Sequence, residues 1–126
     1  MPNKDPNLLP PATLAYIGDA VYELFTRTEL VEKGITNVNK LHHKAIRFVS
    51  AEAQAKALSF LNGHLSEEEA DLVRRGRNAK TRVPKNAELM EYRYSTGFEC
   101  LVGYLYLSGD FERLKNIMTL VGREFL

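Results

Sequence analysis

Apolar residues in this chain return at steps of three and four. Leu14, Ile17, Val21 and Leu24 do so in one stretch, Leu41, Ala45, Phe48 and Val49 in a second, and Leu114, Ile117, Met118, Val121 and Phe125 in the last. A period near 3.6 gathers such residues on one face of a helix, whereas a half-buried strand needs strict alternation. No segment alternates well enough to be read as a strand. The spacing therefore predicts an all-α fold of about six helices in a single domain, without internal repeats.

Punctuation residues divide the pattern. Pro2, Pro6, Pro10 and Pro11 keep residues 1–11 out of regular helix and predict an extended arm, with the folded domain spanning 12–126. The first helix is expected from Thr13 to Lys33, stopped by Gly34. Asn39 to Phe60 reads as helical, in one piece or two, with Ser50 able to cap the second and Asn62-Gly63 ending it. Ser66-Glu67-Glu68-Glu69 is a capping box that opens a helix running to Arg75. Ala87 to Leu107 is a second long helix, with an interruption foreseen near Tyr94–Thr96, and Asp110 can cap the last one.

Composition narrows the class. The 126 residues are 44% hydrophobic and 26% charged, which suits a globular protein with a real core. No apolar run approaches the ~20 residues that span a bilayer, so no membrane partner is expected. There is no basic-then-apolar leader pattern at Met1-Pro2-Asn3-Lys4-Asp5. The single cysteine, Cys100, excludes a disulfide scaffold, fits a reduced cytoplasmic setting and reads as a core thiol. His42 and His43 are adjacent, so a helix points them apart, and metal pairs want three- or four-residue spacing. Phosphate-loop, zinc and nucleophile-elbow patterns are missing. Glu29/Glu32 and Glu88/Glu91 have Glu-x-x-Glu spacing but read as surface pairs near helix ends.

The formal net charge is only +1, yet it is unevenly placed. Residues 74–85 hold six Lys/Arg and no acid, while residues 1–73 hold seven against ten acids and residues 86–126 four against six. One basic segment in an otherwise slightly acidic chain suggests a local polyanion contact. A solvated, flexible loop is the plainer reading. Six like charges with nothing to offset them repel one another, which favours phosphate contact.

Two stretches each carry a lone acid among apolar and small residues: Asp19 in Leu14–Glu23 and Glu99 in Tyr94–Leu107. Periodicity alone places Asp19 on a solvated face. If the two helices pack so that the acids converge, they repel unless a cation lies between them. Gly103, one turn beyond Glu99, costs helix stability and leaves space for another backbone, side chain or ligand beside that acid.

The segments Ile17-Gly18-Asp19-Ala20-Val21-Tyr22-Glu23, Arg75-Gly76-Arg77-Asn78-Ala79-Lys80 and Tyr92-Arg93-Tyr94-Ser95-Thr96-Gly97-Phe98-Glu99, followed by Gly103-Tyr104-Leu105-Tyr106-Leu107, occur in this order. With them the sequence resembles the ribonuclease III catalytic domain. It resembles more closely the short Mini-ribonuclease 3 family, which lacks a double-stranded-RNA-binding domain. The resemblance runs from Leu8 to the C-terminus. It implies an all-helical homodimer that cuts both strands of double-stranded RNA with magnesium (Mg2+). Asp19 and Glu99 match the family's Gly-Asp and Phe-Glu acids and are implied as catalytic metal ligands. Two further acidic positions of the full-length enzymes are Ala15 and Thr96 here, a reduction that the short family shares. Tyr16 matches an aromatic position at the dimer interface. Glu23 matches no ligand and reads as a surface partner of Arg27.

Arg74, Arg75, Arg77, Asn78, Lys80, Arg82 and Lys85 are the expected RNA contacts, since A-form duplexes are read through shape, phosphates and 2′-hydroxyls. The resemblance further implies maturation of the 23S ribosomal RNA precursor, with a ribosomal protein or pre-ribosome as a further partner. A non-catalytic RNA-binding or ribosome-associated module on the same fold is the alternative, favoured by Ala15 and Thr96 and opposed by the retention of Asp19 and Glu99. A helical dimerisation protein without a nucleic-acid partner is the third reading, opposed by the basic segment.

Overall fold

The computed structural model describes residues 5–79 and 82–125. Six α-helices follow one another, with no strand among the described residues: α1 (Pro11–Glu32), α2 (Val38–Val49), α3 (Ala51–Phe60), α4 (Glu67–Arg77), α5 (Leu89–Leu107) and α6 (Phe111–Phe125). α5 is the central element, with α1, α3 and α4 packed along it, α6 against its end, and α2 on α1. This follows from its sequence. Ser95 to Gly103 is buried on nearly every side, Glu99 alone keeping partial access to solvent. Such a helix must lie inside.

Small residues allow the packing to be close. A methyl group on Gly97 would come within 2.8 Å of the Val73 carbonyl oxygen, and one on Gly76 within 2.7 Å of the Cys100 sulfur, so α4 and α5 cross with little side chain between them. The Cys100 thiol in turn donates to the Pro11 carbonyl at 3.1 Å. Around α5 the core is built from Val21, Tyr22, Leu61, Phe98, Leu101, Val102, Leu114 and Ile117, with Tyr22 meeting Phe98 edge to face at 4.9 Å.

The caps are those the sequence announces. Ser50 ends α2 and caps α3 through Ala53 N–H, and the Ser66–Glu69 capping box opens α4. Asp110 accepts from Arg113 N–H at the start of α6. Gly34 and Gly109 follow α1 and α5 with φ of 95° and 77°, the left-handed turn that lets Ile35 and Asp110 close onto Leu30 and Leu105 carbonyls.

Four expectations are corrected. α1 begins at Pro11, because the first helical residue needs no amide donor and proline is tolerated there. Residues 6–8 form a 3-10 turn, and it is fastened to the domain: the Asn7 carbonyl accepts from Arg75, and the Asn7 amide donates to the Tyr104 hydroxyl. α5 is continuous through Tyr94–Thr96 and starts at Leu89, with Glu88 as its cap. Leu24 is not a core residue; it is 64% exposed, and Tyr22 takes the buried position.

Candidate active site

α1 and α5 touch backbone to backbone. A methyl group on Gly18 would overlap the Glu99 carbonyl, and one on Gly103 would overlap that of Leu14 and sit 3.0 Å from Gly18 nitrogen. Gly103 thus admits another backbone beside Glu99. Asp19 follows Gly18 directly, so the crossing sets its carboxylate beside that of Glu99. Asp19 is exposed and Glu99 largely buried. Burial first, and then the hydrogen bond and negative charge of Asp19, push the Glu99 carboxyl up to about 8, with the Gln54 side chain opposing part of the rise.

Gln54 comes from α3 and is 2% exposed. Its amide nitrogen donates to the Val49 carbonyl at 3.1 Å, while its Oε1 is buried without a hydrogen-bond partner. Two adjoining carboxylates, one held against its charged form, and an orphaned buried acceptor on the side chain that meets Glu99 suit a hard divalent cation, which takes oxygen ligands. Asp19 and Glu99 are the residues that would hold it. Ala15 is packed with Leu14, Leu72 and Cys100, and the Thr96 hydroxyl donates back to the Tyr92 carbonyl at 2.9 Å. Neither supplies a further ligand, and no group of three or more His, Cys, Asp or Glu gathers among the described residues.

The basic segment is partly helical. α4 continues through Gly76 to Arg77, two residues past the expected end, because Gly76 is a packing residue against α5. Arg74 pairs with Asp71, Arg75 reaches the Asn7 carbonyl, and the Arg77 guanidinium lies 5.8 Å from the Tyr94 ring centre. Asn78 ends α4 and is exposed, as are Arg82 and Lys85. Lys80 lies outside the described residues.

The remaining singled-out residues fall as follows. Tyr16 is 79% exposed on α1, three residues before Asp19. Glu23 pairs with Arg27 at 2.7 Å. His42, His43 and His64 are exposed. Burial, and then the charge of Glu99, push the Cys100 thiol up to about 12, which suits an inert core group. Gln54 is the site residue that sequence reasoning missed. Its only signal is that it is the long polar side chain on the Ala53–Ala57 face of α3, amid alanines.

A family profile described as the Ribonuclease III domain matches residues 12–110. Mini-ribonuclease 3 of Symbiobacterium thermophilum is 56% identical over 115 residues, 90% of this chain and 88% of its own. That of a Thermoanaerobacter species is 54% identical over 113 residues, covering 89% and 80%. A crystal structure of a protein from Fusobacterium nucleatum superposes with a TM-score of 0.86 at 30% identity, over 98% of this chain and 100% of that one. Relatives this similar over most of both chains, on the same helical fold, establish that the chain belongs to the ribonuclease III family, in its Mini-ribonuclease 3 group, and is a metal-dependent endoribonuclease acting on double-stranded RNA.

Proposed function

We propose that Asp19 and Glu99 are the metal-binding catalytic residues, that the metal is magnesium, and that a homodimer of this chain trims a 23S ribosomal RNA precursor. The observation that carries the assignment is the Gly18–Glu99 contact, which puts one exposed and one largely buried carboxylate side by side. Magnesium accepts one or two carboxylates and fills its other positions with water and phosphate oxygens. When bound, it supplies a water of lowered pKa and offsets charge on the leaving oxygen. Asp19, facing solvent, and Glu99, once deprotonated, would hold the ion at the side open to the duplex. Hydrolysis leaves 5′-phosphate and 3′-hydroxyl ends.

For the RNA, Arg82 and Lys85 offer exposed cations, and Arg74 and Arg77 sit at the α4 end in exposed or partly exposed pairs that phosphate can displace. Lys80 and Asn78 complete the set. Arg75 serves through its place beside the N-terminal turn. For the dimer, Tyr16, Ala20, Leu24 and Val31 form an exposed, mostly apolar stripe along the outer side of α1, which suits a second copy packed against it. That stripe begins one turn from Asp19, so two sites would face one duplex and cut both strands, leaving short 3′ overhangs.

The test is cleavage of a labelled RNA duplex with magnesium, in wild type, Asp19→Asn and Glu99→Gln. Both strands are cut by the wild type, and each variant loses about 100-fold or more, the scale of removing one charge-stabilising group. Full turnover in either variant removes that residue from the site. A simple duplex cut while precursor ribosomal RNA is left intact would remove the 23S precursor as its substrate.

A further inference from the structure

The Gln54 side chain spans three elements. It leaves α3, ties the carbonyl of Val49 at the end of α2, and meets Glu99 of α5. That carbonyl is among the last four of its helix, which have no partner within the helix, so the Gln54 amide fixes the α2–α3 corner. The same bond settles which way the amide points. Exchanging its nitrogen and oxygen would set Oε1 against the Val49 carbonyl, lone pair against lone pair. The atom left over is therefore an acceptor, buried and without a partner. Natural proteins rarely leave a buried acceptor empty, and those that do are commonly completed by a water or an ion. The acceptor belongs to the same amide that meets Glu99, so a hydrated cation held by that carboxylate would bring water hydrogens toward it.

We propose that Gln54 is a positioning residue for the cation: its amide N–H steers the Glu99 carboxylate, and its Oε1 accepts a hydrogen bond from the cation's water shell. The proposal rests on the assignment of Asp19 and Glu99 as the metal pair. An outer-shell partner of this kind orients a ligand and the water beside it, and its loss commonly costs 10–100-fold in metal affinity. The Gln54 contribution is separable from packing, because methionine matches glutamine in length and volume and carries neither the donor nor the acceptor.

The experiment is calorimetric titration of RNA-free protein with magnesium, alongside urea denaturation without metal, in wild type, Gln54→Met, Gln54→Leu and Glu99→Gln. Gln54→Met removes the orphan acceptor but also the tie to the Val49 carbonyl, so its metal-free midpoint is expected to fall modestly with folding retained, while its magnesium affinity falls about 10–100-fold. Gln54→Leu gives the same reading should the methionine variant fail to fold. A wild-type magnesium affinity in both Gln54 variants, with Glu99→Gln defective, overturns the role of Gln54 and leaves the pair standing. Undiminished magnesium binding in Glu99→Gln overturns the pair, and the Gln54 role with it.

Discussion

A carboxyl group held near 8 beside a second carboxylate makes pH a probe of the site. Between the ordinary glutamate range and that value, the folded metal-free protein holds a proton on Glu99 that the unfolded chain has released. Stability of the metal-free protein therefore falls as pH rises across this window, by at most about 1.4 kcal/mol per pH unit for one proton. A cation held by the proposed pair would compete with that proton, so its affinity should rise over the same range. Urea midpoints measured at intervals from about pH 5 to 8.5 check the first statement, and Glu99→Gln should flatten the slope. At this scale the site was half legible in the chain. Asp19 and Glu99 stood out as lone acids among apolar and small neighbours, but their convergence depends on a backbone contact that periodicity does not report. Gln54 was not legible, because one glutamine among alanines looks like any polar helical residue until α3 is laid on α5.

Helix crossings decide the architecture, and glycines decide how close the crossings are. Gly18→Ala forces a methyl into the Glu99 carbonyl, and Gly103→Ala does the same at Leu14. The obstacle is backbone on both sides and cannot rotate away. Each substitution should cost about 3 kcal/mol or more, at or beyond the upper end for overpacking, and urea denaturation reads it. Gly122→Ala, with open space around it, is the matched control. A second tie joins α4 to α6, where Arg113 grips Glu69 through Nε and Nη2, both at 2.8 Å, and donates to the His64 carbonyl at 2.7 Å. The Arg113 hydrogen bonds hold the Glu69 carboxyl below its ordinary range. A lowered pKa contributes stability that is present above the unfolded value and lost as pH falls through the folded one. Glu69→Gln should therefore cost about 1–3 kcal/mol near pH 7 and blunt the loss of stability in acid, seen as a smaller drop in midpoint between pH 6 and 3. The elements themselves were largely legible, since spacing and caps are local. What failed was local inference about non-local matters. Leu24 fits the first stripe by spacing, yet α1 turns Tyr22 inward against Phe98; Gly76 looks like a helix breaker, yet α5 needs it there.

At the scale of the whole molecule, α1 is the helix with two apolar sides. Its inner side packs on α5, while Tyr16, Ala20, Leu24 and Val31 face solvent. The proposed second copy would cover this outer side, and it would then bear on RNA binding. Each protomer carries one basic segment, so a dimer doubles the phosphate contacts. Log affinity for a duplex falls with log salt by about 0.9 for each phosphate neutralised, on the B-DNA calibration. Replacing Tyr16 and Leu24 together by lysine should leave helix content unchanged, as both are exposed, and shift sedimentation to the monomer. Added lysines can make phosphate contacts of their own, so the slope is read on the same pair replaced by glutamine, where per bound particle it should drop to about half. Nicks in one strand should then replace paired cuts on a labelled duplex. If the double variant sediments as wild type and keeps its slope and paired cuts, α1 is not the interface. Charge reversal at Arg82 and Lys85 separates the two causes: it should lower the slope while the dimer persists.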